Sequence, residues 1–233
     1  MIHCSLGRHE MLLPLAEKLA HRSTLFDLPG HGRSPDWDGT RDFHTLSTAI
    51  AAGLAAPASH MIGHSFGATV ALRLAVERPD LVSRLTLIEP VFFAAAKGEP
   101  EYPAHVAGFA PYVAAMERGD RIAASRAFTD VWGAAGWDSL SATAQAGIAR
   151  RIHMIGAAAP AIEDDNAGLL RPGRIAGISV PVTLIQGAQS PRIIAAIHRS
   201  LAALMPQARQ VVVPGAGHMV AGTHPDAVLK AMA

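Results

Sequence analysis

The five residues Gly63-His64-Ser65-Phe66-Gly67 constrain this chain more than any other feature, because they stand between an apolar run, His60 to Gly63, and a helical stretch, Phe66 to Glu77. A turn squeezed between an abutting strand and helix forces its central residue into strained backbone angles. Side chains two residues to either side of the serine would then collide, so glycine is required at Gly63 and Gly67. Such a turn holds Ser65 Oγ clear of the sheet. It also aims the Phe66 N–H at the group the serine attacks, with the positive end of the following helix behind it. The pattern therefore predicts Ser65 as a nucleophile and Phe66 as an oxyanion donor. The competing reading is a glycine pair that only lets a helix pack close to a strand.

Short apolar runs alternate with helical stretches at both ends of the chain, the pattern of a mostly parallel sheet flanked by helices. Strands are expected at Met1–Cys4, Thr24–Phe26, His60–Gly63, Leu85–Ile88, Val182–Ile185 and Gln210–Val213. Helices are expected at Glu10–Ala20, His44–Leu54, Phe66–Glu77, Arg192–Leu204 and from Pro225 onward. Between Val91 and Gly177 the strand signal disappears, which predicts a helical cap (residues 91–177) inserted into a core of residues 1–90 and 178–233.

A serine hydroxyl is a weak nucleophile at neutral pH and needs a base within reach. Of the 12 histidines, His218 is best placed: Gly215-Ala216-Gly217-His218 follows the last expected strand, where flexible glycines can deliver an imidazole to the carboxyl edge of the sheet. His64 is expected to point elsewhere, and His31 and His224 to be solvated or structural.

Composition narrows the partners. Lys and Arg total 20 against 19 Asp and Glu, which leaves no basic stripe for nucleic acid. The single cysteine, Cys4, excludes an intrachain disulfide, and no CxxC or paired-histidine spacing suggests a metal; no cofactor is expected. Arg8, Glu10, Glu17 and Lys18 interrupt any signal-peptide pattern. The most apolar window, Ile50 to Gly63, is too short and too broken for a membrane span, which needs about 20 residues. A soluble, cytoplasmic protein acting on a small molecule is the expectation.

Four ordered motifs carry a resemblance to the α/β-hydrolase superfamily, particularly its small capped bacterial esterase-like members. They are Asp27-Leu28-Pro29-Gly30-His31-Gly32-Arg33-Ser34, Gly63 to Gly67, Pro181 to Gly187, and Gly215 to His218. The resemblance implies a catalytic order of serine, acid, histidine, and a helical cap over the site.

Three departures from that pattern matter. The position that usually carries the acid holds Ser190, and Glu89, in Leu87-Ile88-Glu89-Pro90, is the expected replacement, as in haloalkane dehalogenases; otherwise Glu89 would cap or salt-bridge the cap. The family's first two strands are absent, so Thr24–Phe26 would be a sheet edge that needs a cover, a dimer contact or a different chain start. His3-Cys4-Ser5-Leu6-Gly7 replaces the usual His-Gly loop, with Ser5 expected as the second oxyanion donor and Leu6 as the alternative. Cys4 as a nucleophile is disfavoured because a buried thiol is normally inert.

Cap residues such as Phe92, Phe93, Tyr102, Phe109, Tyr112, Met116, Phe128, Trp132, Trp137 and Met154 could roof an apolar pocket, while Glu163, Asp164 and Asp165 read as a solvated loop. Hydrolysis of a small carboxylic ester through an acyl-enzyme on Ser65 is the leading functional reading. Cleavage of a carbon–carbon or amide bond by the same pair, and ligand binding without turnover, are the alternatives.

Overall fold

The structure, a computed structural model, describes residues 1–232. Its elements in chain order are α1 (Leu13–Ala16), α2 (Phe43–Leu54), β1 (Ser59–His64), α3 (Phe66–Glu77), β2 (Val82–Ile88), α4 (Tyr102–Glu117), α5 (Arg121–Trp132), α6 (Ala142–Arg151), α7 (His153–Ile162), β3 (Val182–Gly187), α8 (Arg192–Leu204), β4 (Arg209–Val213), α9 (Val220–Thr223) and α10 (Pro225–Met232). The four strands pair in parallel in the order β1-β2-β3-β4.

Alternation along the strands divides the core into two layers. Met61, Leu85, Leu87, Val182 and Leu184 face one layer with α3 and α8. Ile62, Ile88, Ile185 and Val213 face the other, against Leu12, Leu15, Val220, Val228 and Met232. A sheet covered on both faces can be apolar on both, as its strands are. Polar side chains start the exposed helices cleanly: Asp42, Asp120 and Ser141 accept from the N–H three residues on, each cap worth about 1 kcal/mol.

Two N-terminal expectations need correction. Met1–Cys4 and Thr24–Phe26 form no strands; Ile2 makes single parallel bridges to Phe26 and Gly63. The sheet is thus extended by two residues rather than two full strands, with Phe26 at its edge. The helix expected over Glu10–Ala20 is a 3-10 turn, His9–Leu12, followed by the single turn α1. Pro14 sits in the first turn of α1, where its missing N–H does no harm, and Leu12 and Leu15 are still buried.

No strand lies between Ile88 and Val182 among the described residues. Helices α4 to α7 fill that interval and form a roof over the carboxyl edge of the sheet. Arg151 Nε donates to the Gly30 carbonyl and Arg199 pairs with Glu99 and Glu101, tying the flanks of the roof to the core. Among the described residues, no helix is long and apolar enough to cross a membrane.

Candidate active site

Ser65 is the first residue beyond β1, and Glu89 the first beyond β2. Each keeps its N–H in the ladder: Ser65 donates to Ile88 O at 2.9 Å, and Glu89 to Ile185 O at 2.8 Å. Both backbones then turn sharply, with φ of 57° at Ser65 and 52° at Glu89. Positive φ in a non-glycine residue costs on the order of 1–3 kcal/mol, and the ladder bonds and packed surroundings hold it. The glycines of the elbow explain themselves sterically. A Cβ on Gly63 would overlap the Gly67 carbonyl, and one on Gly67 would overlap the carbonyls of Ile2 and His3.

His218 arrives from the loop after β4. That loop is strapped to β3: Gln189 N–H donates to Ala216 O at 2.8 Å, and a Cβ on Gly187 would overlap the same carbonyl. A second strap comes from the elbow, where buried His64 donates from Nε2 to the backbone carbonyl of His218 at 2.8 Å. Burial pushes His64 down to about 3, so it stays a neutral ring beside His218.

The three side chains form one hydrogen-bonded line. His218 Nε2 lies 3.0 Å from Ser65 Oγ, and His218 Nδ1 lies 2.9 Å from Glu89 Oε2. The other Glu89 oxygen accepts from Gly187 N–H at 2.6 Å and from Ser190 Oγ at 2.7 Å. Glu89 is fully buried, and its two oxygens between them meet three hydrogen-bond partners. Ser190 thus stands where the family places its acid, and here it anchors the carboxylate instead.

The two expected oxyanion donors keep their N–H groups unspent. Phe66 N–H opens α3, and neither it nor Ser5 N–H donates to a protein acceptor among the described residues. Ser5 lines the same cavity as Ser65. Leu6, the expected alternative, donates its N–H to His31 Nε2 at 3.0 Å, and its φ is 62°. His31 in turn donates from Nδ1 to Pro29 O, and buried His3 accepts the Leu28 N–H. Burial holds both rings down to about 4, in the neutral form that can accept. Asp27 secures the same loop by accepting from the backbone N–H groups of Arg33 and His9. These bonds outweigh the upward push of burial and bring its carboxyl down to about 2. Cys4 is buried, and desolvation raises its thiol to about 12, which leaves no thiolate to react.

Above Ser65 lies a cavity of about 210 Å³. Five of the ten apolar residues singled out in the roof line it: Phe93, Phe109, Tyr112, Phe128 and Trp132. Trp132 also stands edge-on to His218, with ring centroids 4.7 Å apart. The remainder pack inward or border other surfaces; Phe92 and Met154 are buried in the main core. Glu163 departs from its expected place in a solvated loop. It ends α7 at the cavity wall, while Asp165 accepts from the N–H groups of Leu169 and Leu170.

Sequence reasoning missed His64 and His3 as loop fasteners, and Gly187 as a partner of Glu89. One signal was available: buried histidines beside glycine-rich turns have few donors and acceptors other than backbone to satisfy them.

The model of the alpha/beta hydrolase family matches residues 1–231. A pimeloyl-[acyl-carrier protein] methyl ester esterase of Methylococcus capsulatus is 41% identical over 87 residues, 35% of this chain and 31% of that protein. Lipase LipV of Mycobacterium tuberculosis is 43% identical over 67 residues, 28% of this chain and 25% of the lipase. The matched segments thus span less than a third of these curated relatives. Among solved structures, the enol-lactonase from Burkholderia xenovorans LB400 superposes with a TM-score of 0.72 at 23% identity, covering 99% of this chain and 89% of its own. Relatives named esterase and lipase support hydrolase activity, and the solved structure supports the fold. With the match running over nearly its whole length, this chain belongs to the alpha/beta hydrolase family.

Proposed function

We propose that the protein is a serine hydrolase that cleaves small carboxylic esters through an acyl-enzyme on Ser65. The observation that carries this reading is the unbroken line Glu89–His218–Ser65, with contacts of 2.9 and 3.0 Å. In the first half-reaction His218 Nε2 takes the Ser65 proton as Oγ attacks the ester carbonyl. Glu89 holds the Nδ1–H tautomer and stabilises the imidazolium that forms. The carbonyl oxygen becomes an oxyanion between the N–H groups of Phe66 and Ser5, each such donor contributing about 3 to 4 kcal/mol in the transition state. His218 then protonates the leaving alcohol. Water, deprotonated by the same nitrogen, releases the acid and restores Ser65.

Cavity size supports a short acyl group. At about 210 Å³ it lies below the roughly 300 to 1,000 Å³ of pockets that take drug-sized ligands. Methyl ester hydrolysis and lipase action, the activities in the names of two relatives, use the same acyl-transfer chemistry. The helices between residues 91 and 177 would act as the cap that selects the acyl group, in a protein that works without a cofactor.

Hydrolysis of 4-nitrophenyl esters from acetate to decanoate, together with fluorophosphonate labelling, tests the proposal. Wild type should label once and turn over the short esters best, and Ser65→Ala and His218→Ala should lose turnover. A wild-type protein that neither labels nor hydrolyses any member of the series would remove the esterase reading and leave ligand binding.

A further inference from the structure

The wall of the cavity above Ser65 is apolar along nearly its whole extent and holds no lysine or arginine. Among the described residues, the one acidic residue lining it is Glu163, at the end of α7. Oε2 of Glu163 accepts from Tyr102 OH at 3.2 Å, and Oε1 lies 3.5 Å from His105 Nε2. No lysine or arginine lies within ion-pairing distance of this carboxylate among the described residues; the nearby Lys97 pairs with Asp164 instead. A carboxylate offers about four lone pairs, and the two neighbours use at most two, so acceptor capacity remains.

Charge in a small cavity walled by low-dielectric side chains acts more strongly than on an open surface. A substrate whose acyl chain ends in a carboxylate would bring like charge to Glu163, which has the His105 ring beside it and no lysine or arginine. One whose chain ends in a methyl group meets only the apolar wall, and one that ends in an ammonium or hydroxyl group finds an acceptor. Resting on the serine-esterase reading, we propose that Glu163 is a specificity-determining residue. It makes the enzyme select esters of short neutral or amine-terminated acids and reject the half-esters of dicarboxylic acids.

Three 4-nitrophenyl esters of matched length test this: the hexanoate, the 6-aminohexanoate and the half-ester of adipic acid. For wild type, kcat/KM for the half-ester should fall at least tenfold below that for the hexanoate, with the difference mainly in KM, and the aminohexanoate should match or exceed the hexanoate. Glu163→Gln should shrink the penalty on the half-ester to within about threefold, and Glu163→Lys should reverse the order of the two charged substrates. These are ratios between substrates on one enzyme preparation, so a variant that folds in lower yield still reports. Equal ratios in wild type and both variants would overturn the role of Glu163 while leaving the esterase reading intact. Failure of wild type to hydrolyse the hexanoate would overturn both.

Discussion

The carboxyl edge of the sheet and the helical roof above it both supply side chains to the cavity, yet they hold those side chains by different means. At the edge, positions are set by the backbone. Ser65 and Glu89 stand one residue past their strands with ladder bonds intact, and the His218 loop is fastened at Ala216 and at its own carbonyl. In the roof, rings rest on rings: Phe93 on His105 at 4.1 Å, Phe109 on Tyr112 at 4.6 Å, Trp132 on His218 at 4.7 Å. Val106, Val113, Ile122 and Val131 of these helices are left exposed. Backbone fastening keeps reacting atoms in register, whereas side-chain packing can be re-cut without disturbing the chemistry. On the proposed reading, the division assigns reaction type to the edge and selectivity to the roof.

The largest expected effect is at the edge. Glu89→Gln keeps the shape and removes the charge, and should lower kcat by about 10³- to 10⁴-fold in steady-state ester hydrolysis, with KM little changed. Gly67→Ala should destabilise the fold by about 3 kcal/mol or more, because backbone carbonyls rather than flexible side chains occupy the space a methyl needs. A denaturant midpoint equal to wild type would break the claim that the edge is set by backbone. His64→Phe keeps an aromatic ring at the site without the bond to the His218 carbonyl, and should cost about 10- to 100-fold in kcat through misplacement of the imidazole. Its circular dichroism should stay native.

In the roof the changes should be smaller and of another kind. Trp132→Leu is expected to shift the preferred acyl length and to raise KM severalfold, with kcat within about threefold of wild type. A kcat loss as large as that of His64→Phe would erase the proposed division.

Acid should act on the folded state as a whole. Burial pushes His3, His31, His44, His60, His64 and His198 down to about 3 to 4 from an ordinary value of 6.5. The unfolded chain protonates these rings near pH 6.5 while the folded chain resists. The stability tied to their neutrality is therefore complete above pH 6.5 and declines as pH falls toward 4. Urea midpoints measured from pH 8 to 4 should show that decline, and a flat profile across the window would contradict it.

Much of this edge could be read from the chain. The glycines flanking Ser65 exclude most other local structures, so the elbow follows from sterics, and Glu89 follows from its place after an apolar run that Pro90 stops. The N-terminal segment was harder to read. Met1–Cys4 has the composition of a strand, but single bridges at Ile2 are all that the neighbouring backbone supports. The role of Ser190 was hidden for another reason. A serine has no signature that distinguishes an anchor for a carboxylate from a turn residue, and only the 2.7 Å contact identifies it. In the roof, periodicity indicates helices but not which of their rings face Ser65, because that depends on how four helices pack together.

The hydrogen bond between His218 and Glu89 is the feature on which the rest depends, and proton NMR can observe it directly. The imidazole proton shared between Nδ1 and the carboxylate should give a low-field resonance in wild type that vanishes in both Glu89→Gln and His218→Ala. A resonance that survives in Glu89→Gln, or one that is absent from a folded wild-type protein, would contradict the assignment of Glu89 as the acid.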